Sequence, residues 1–129
     1  MSYYINKTIT GVTFDVAIDR VTEELKKEGF GVLTEINIKA TLKKKLDVDF
    51  YNYRILGACN APYAYKALQA EDKIGTMLPC NVIVQEREVG KIEISAVDPI
   101  ASMQGVENKN LGELAMEIRD KLARVIENL

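Results

Sequence analysis

Apolar residues at Phe14, Ile18, Val21 and Leu25 recur at intervals of four, three and four, the spacing that lines one stripe of a helix. Just before them Tyr3 to Ile9 alternates, with Tyr3, Ile5 and Ile9 set against Tyr4, Asn6 and Thr8, which is the period of a half-buried strand. The pattern predicts a strand, then a helix that Thr13 caps and Gly29 stops. Lys26 and Lys27 complement the negative end of its dipole, and Phe30 is placed to touch Leu25. Gly31 to Ile36 predicts a second strand, and Asn37 caps a short helix from Ile38 to Leu46 with Ile38, Leu42 and Leu46 as its apolar positions.

The stretch YRILGACN predicts a third strand, and Asn60 followed closely by Pro62 opens a helix running to about Ala70. Cys80 to Glu86 and Lys91 to Val97 predict two further strands, joined through REVG into an antiparallel hairpin turning at Gly90. The strongest helical stripe closes the chain: Leu111, Leu114, Ile118, Leu122, Val125 and Leu129, with Asn110 and Glu113 as a capping box. Glu117 with Lys121 and Asp120 with Arg124 stand at ion-pair spacing on that helix. VDPIASMQGVENKN, residues 97–110, is the longest irregular stretch, either the rim of a ligand site or a connection.

Shifting the chain by about 50 residues superposes Tyr3 and Ile5 on Tyr53 and Ile55, Ile9 on Cys59, and Ala17-Ile18 on Ala67-Leu68. Each half then reads strand, helix, strand, and short connections of that kind favour right-handed parallel crossovers. The expected fold is α+β: a two-layer sandwich with a mixed sheet of about five strands, helices on one face, and a duplicated strand-helix-strand plan. The other face would then carry Leu56, Ala58, Ile83 and Val97 among Arg54, Asn81, Gln85 and Ser95. That surface is too apolar to be left wet, so a second copy or an apolar ligand is expected to cover it.

No proline-rich or serine-rich linker divides the 129 residues, so one domain over 1–129 is expected. With 47% hydrophobic and 28% charged residues the composition is that of a folded globule. The 17 basic and 19 acidic residues give a charge of −2, so no positive field draws the chain to nucleic acid or an anionic membrane. Lys43-Lys44-Lys45 reads as a solvated helix face. The start of the chain has no apolar signal segment, and no run of about 18 apolar residues offers a membrane span; a cytoplasmic protein with reduced thiols is expected.

The chain has no histidine, which removes the commonest general base and the commonest metal ligand together. Gly29-Phe30-Gly31 ends a helix where a phosphate loop would begin one. Chemistry is left to the two thiols, each in a Cys-Asn pair: Cys59-Asn60 closing a strand and Cys80-Asn81 opening one. Alternation puts Cys59 with Tyr53 and Ile55, and Cys80 with Val82 and Val84, where a free cysteine acts as a small hydrophobe. Apolar packing is the leading reading of both. If Cys59 sits at the amino end of the helix after it, the dipole favours its thiolate and a redox or persulfide role. Met77 or Met103 with the thiols would suit copper(I), but no metal-ligand spacing is present, and no metal or cofactor is expected. In a parallel layout Cys59 and Cys80 lie at opposite edges of the sheet; an extended Lys73 to Pro79 running back would bring them together.

The acidic residues Glu71-Asp72, Glu86 and Glu88, and Asp98 before Pro99, read as turn and surface groups. The aromatic cluster Phe50, Tyr51 and Tyr53, with Tyr63 and Tyr65, reads first as core packing with outward hydroxyls and second as a pocket lining.

At YRILGACNAPYAYKALQAEDKIGTMLPCNVIVQE, together with AVDP downstream, the chain resembles the bacterial and archaeal family known as domain of unknown function 302. The likeness covers nearly the whole chain and rests on Gly-x-Cys-Asn ending a strand, the helix with Ala64 and Leu68, Leu-Pro-Cys-Asn-Val, and the later Asp-Pro. Ala61 departs from the pattern, where a proline is frequent. The resemblance implies a two-layer, duplicated strand-helix-strand domain that is dimeric. It carries over Gly57, Cys59, Asn60, Leu78, Pro79, Cys80, Asn81, Asp98 and Pro99 without an assigned role.

The leading expectation is a homodimeric protein that binds a small molecule and is not an enzyme. Its ligand site would draw on Cys59, Asn60, Cys80, Asn81 and Asp98. The alternatives are a thiol-based redox or sulfur-handling protein using Cys59, Cys80 or both, and a purely structural dimer. Cα atoms of the two cysteines within about 7 Å would permit a bridge; a wider gap favours packing roles.

Overall fold

In the computed structural model, which describes residues 2–129, five strands form one sheet: β1 (Tyr4–Ile9), β2 (Gly31–Asn37), β3 (Asn52–Cys59), β4 (Cys80–Glu88) and β5 (Lys91–Val97). Between and after them lie α1 (Phe14–Lys27), α2 (Ile38–Leu46), α3 (Ala61–Ala70), a 3₁₀ helix over Asp72–Met77, α4 (Pro99–Ser102) and α5 (Lys109–Glu127). The local signals explain most of these bounds. Val16 N–H donates to Thr13 Oγ1 at 3.2 Å at the start of α1, and Gly29 takes φ +87° at its end while Phe30 N–H reaches Leu25 O at 2.9 Å. Ala40 N–H donates to Asn37 Oδ1 at 3.0 Å, which starts α2 at the residue the sequence marks.

The cap of α5 differs from the expected Asn110–Glu113 box. Asn108 caps instead, accepting from Asn110 N–H at 3.0 Å while its amide donates to Ala70 O at 2.8 Å, so the helix begins earlier and is tied to the end of α3. The spaced pairs on α5 also resolve differently: Arg124 pairs with Glu28 at 3.0 Å, and Glu117 and Lys121 both turn to Tyr63. Residues 97–110 are not wholly irregular, because α4 occupies Pro99–Ser102.

The sheet order is β1-β5-β4-β3-β2, and every neighbouring pair is antiparallel. The α+β class, the five strands and the packing of α1 and α5 on one face agree with expectation, and each half does run strand, helix, strand along the chain. The parallel neighbours expected from a mixed sheet are absent from it. β1 and β2 do point the same way, but α1 carries the chain across three intervening strands, so they never pair. In the second half the 3₁₀ helix after α3 returns the chain to the sheet end it left, and β4 therefore starts opposite the end of β3 and runs antiparallel to it. Only the β4–β5 hairpin, with Gly90 at φ +87°, shows its direction in the sequence.

Register then assigns the faces. Leu56 stands opposite Val82 and Ala58 opposite Cys80, so Leu56 and Ala58 lie with Val82, Val84, Ile92, Ile94 and Ala96 in the core under α1 and α5. The expectation that Leu56 and Ala58 face away from the helices is thus reversed. β3 is apolar on both sides, so only its partner strand reveals which side is inside. Arg54 goes with them: its guanidinium lies 5.8 Å from the Phe14 ring centroid and pairs with Glu35. The other face carries Tyr4, Tyr53, Ile55, Ile83, Ser95 and Val97, and the hydroxyl of Tyr53 is pushed up by burial and by the neighbouring Tyr51 and Tyr3.

Candidate functional site

β3 ends and β4 begins at the same end of the sheet, and this brings the backbones of the two cysteines together. Because Cys80 is the direct partner of Ala58, Cys59 lies diagonally across from it; ladder spacing sets their Cα atoms roughly 6 Å apart. That is within the distance limit of about 7 Å, but strand alternation points Cys59 to the face opposite Cys80, so the free thiols are not aimed at each other. The connecting residues return as a 3₁₀ helix and a cis Leu78–Pro79 peptide, not as the extended run that the sequence allowed.

Both cysteines line a cavity of about 40 Å³ closed by α3, α5 and the Pro99–Met103 segment, with Tyr63, Ala67, Leu111 and Ile118 among its walls. This volume would admit about three waters, yet the walls are almost wholly apolar and give water little to bond. A small apolar group suits it better.

Asn60 lines the cavity too, but its side chain does not cap α3. Its Nδ2 donates to Glu28 O at 3.1 Å and packs beside Gly29, pinning the end of α1 to the start of α3. A Cβ at Gly29 would stand 3.1 Å from that nitrogen, a second reason beyond its positive φ for glycine there. Asp98 is buried and shapes a wall without lining it. Its Oδ1 accepts from Ile100 N–H at 3.0 Å, capping α4, and its Oδ2 accepts from Arg119 Nε at 3.1 Å. Pro99, the next residue, is the part of this pair that faces the cavity. Asn81 is separated from the others, since it lies across the sheet in a wider trough of about 350 Å³ with Tyr3, Tyr4, Tyr53, Ile83 and Gln85.

The sequence named two methionines, and only Met103 reaches the cavity; Met77 lines a shallow surface hollow. Of the aromatics, Tyr63 joins the wall and Tyr53 the trough, while Phe50 and Tyr51 stack on each other at 4.0 Å. Tyr63 packs against the core with its hydroxyl outward, and Lys66 and Lys121 stand 5.5 and 5.7 Å from its ring centroid. Its hydroxyl is pushed up mainly by its hydrogen bond to Glu117. Nothing in the sequence marks Ala115, Ile118 or Phe30 as cavity walls, because they join the site only when α5 and the end of α1 dock.

Burial pushes the Cys80 thiol up to about 11, with nearby Cys59 adding to the effect. A raised value means less thiolate at neutral pH, so Cys80 is expected to alkylate slowly. In a Cys59→Ser variant, where the Cys59 contribution is gone, its iodoacetamide rate should still reach half its maximum above the ordinary 9.0; a midpoint at or below that value would contradict the burial. Among the described residues no group of three or more His, Cys, Asp and Glu is placed to hold a metal ion, and no helix is long and apolar enough to cross a membrane.

No curated protein matches this chain. A crystal structure described as uncharacterized conserved protein DUF302 from Bacillus stearothermophilus is similar to it: 28% identical, TM-score 0.89, with 98% of each chain covered. The residues around the cavity and the antiparallel sheet that places them fall within residues 5–129, the span matched by the family described as Domain of unknown function DUF302, and the chain belongs to that family.

Proposed function

We propose that this is a cytoplasmic, homodimeric protein that holds a small apolar molecule in the cavity between the Cys59–Asn60 and Pro79–Cys80 segments. The supporting observation is the cavity itself: an apolar hollow whose one amide, on Asn60, is already engaged by Glu28 O. Loose packing at the same place would leave Ala64, which lines it from α3, free to be enlarged without loss of anything. The two accounts separate by measurement. Xenon under pressure, a single apolar atom of suitable size, should shift the methyl NMR signals of Ala64, Ala67 and Leu111 in the native chain, and Ala64→Leu should abolish those shifts while leaving the fold intact. Unchanged methyl signals at saturating xenon would refute apolar ligand binding here.

The dimer is supported by the sheet face away from α1 and α5. Ile36, Ile55, Ile83, Val97, Tyr4 and Tyr53 share it with Ser95 and Asn81, while its charged residues Glu88, Lys91 and Glu93 gather near the β4–β5 turn. With its charges gathered at one end, the apolar part of this face lets two copies meet, and a two-fold axis would set the same patch against itself. Ile83→Glu, at its centre, is expected to convert a dimer to a monomer in analytical ultracentrifugation. A wild-type chain that sediments as a monomer at high micromolar concentration would end the dimer reading.

A thiol-based role is favoured by one observation, the diagonal placement of Cys59 and Cys80. The raised value of Cys80 weighs against it as an attacking thiolate.

A further inference from the structure

We propose that the trough on the sheet face away from α1 and α5 is a binding site for a small organic ammonium cation. Its volume of about 350 Å³ falls in the range of roughly 300–1,000 Å³ usual for small-molecule sites. The register brings its walls to one face. Tyr4 stands opposite Val97, Ile83 opposite Ser95, and Gln85 between Tyr53 and Glu93, so all of these leave the sheet on the side away from the core residues Leu56, Val82 and Ile94. Tyr3, just before β1, joins them. Its ring meets that of Tyr4 edge to face at 4.9 Å and 76°, and its effect on the Tyr53 hydroxyl, after burial and Tyr51, sets these tyrosines near one another over the sheet.

Such a lining selects by chemistry. Three tyrosines and one carboxylate border the trough, and no lysine or arginine does. Glu93 is half-buried, its Oε1 accepts from Gln85 Nε2 at 2.9 Å, and it has no salt bridge among the described residues. Arg87 and Lys91 belong to the next hollow towards the β4–β5 turn, which Glu93 also borders and where Glu88 pairs with Lys91 at 3.4 Å. An ammonium group with an apolar shell suits this setting, since the carboxylate offsets its charge and the negative faces of the rings attract it. Tyr3 and Tyr4 are 71% and 41% exposed, which leaves ring surface open to a ligand. Other classes fit worse. An anion meets Glu93 without a cation in the lining, a calcium ion needs about six to eight oxygens, and a purely apolar molecule would strip water from Glu93, Asn81 and Ser95 without replacing it.

This trough lies on the face assigned above to the dimer, yet a single chain supplies its whole lining, so the site does not depend on that assignment. A two-fold axis would set hollow against hollow. The second copy would then close over a bound cation without taking its place, and the water excluded would strengthen its attraction to Glu93.

The test is an NMR titration of the full chain with choline, following the Gln85 side-chain amide and the Ile83 methyls, beside neohexyl alcohol, the uncharged carbon isostere of choline. Choline is expected to give saturable shifts at both groups, and the alcohol to bind about tenfold or more weakly. Glu93→Gln, which keeps an oxygen for the Gln85 amide, should weaken choline by about tenfold or more; Tyr53→Phe should retain binding and Tyr53→Leu should weaken it. Equal affinity for choline and the alcohol would overturn the proposal, as would unchanged affinity in Glu93→Gln or no saturable shift in the native chain. Should a variant disturb the fold, seen as moved Leu122 methyl signals in the core, the comparison of choline with the alcohol on the native chain decides alone. Sedimentation with and without choline reads the dimer separately. A monomeric chain that binds choline ends the dimer reading and supports this one, whereas a dimer that takes up no choline overturns this one.

Discussion

Leu122→Ala is expected to lower the unfolding free energy by about 2–5 kcal/mol, the range for deleting a fully buried leucine and leaving part of its cavity unfilled. Leu122 has no exposed surface and sits on α5 within the cluster that includes Val21 and Leu25 of α1 and Ile92, Ile94 and Ala96 of β5. Domains of this size are stable by about 5–15 kcal/mol, so the loss runs from about an eighth of the whole to nearly all of it. Urea denaturation should show a lower midpoint with an unchanged slope. The change also reaches the site, because α5 supplies Leu111, Ala115 and Ile118 to the cavity wall. A loss under about 1 kcal/mol would mean that α5 is not seated on the sheet as described.

Gly57→Ala is expected to cost about 1–3 kcal/mol by overpacking, although alanine normally strengthens a strand relative to glycine. A Cβ at this position would overlap Thr34 Oγ1 and stand 2.8 Å from Pro79 Cγ. The two obstacles differ in kind. Thr34 can turn its hydroxyl away about one bond, whereas Pro79 is a ring fixed to the backbone just before Cys80. Adding Thr34→Ala should therefore recover only part of the loss, and the remainder should appear as chemical-shift changes at Cys80 and Leu78. Full recovery in the double variant would show that Pro79 is free to move and does not hold the mouth of the cavity.

Raising the pH gives an independent reading of the same region. The folded Cys80 thiol ionises near 11 and an unfolded one near its ordinary 9.0, so stability is fully present below 9.0 and falls as pH climbs toward 11. Cys80→Ala should remove that part of the alkaline loss.

Much of this molecule is written locally. The stripes at Phe14–Leu25 and Leu111–Leu129, the caps at Thr13 and Asn37, the stop at Gly29 and the turn at Gly90 fix where helices and strands begin and end, because each depends on residues within one or two turns of chain. The two Cys-Asn pairs and the Asp-Pro were also visible as unusual positions, and three of the five expected site residues do line one cavity. Sequence alone left open which strands are neighbours. α1 spans the sheet and the 3₁₀ helix doubles back, and neither choice leaves a periodic trace, since both are decided by which apolar faces can be buried together. For the same reason only pairing with β4 could settle that Leu56 and Ala58 point inward, that the Cys59 and Cys80 backbones lie side by side, and that Asn81 and Asp98 serve elsewhere. A side chain's residue type sets its chemistry, but its partners across the ladder set where that chemistry is placed.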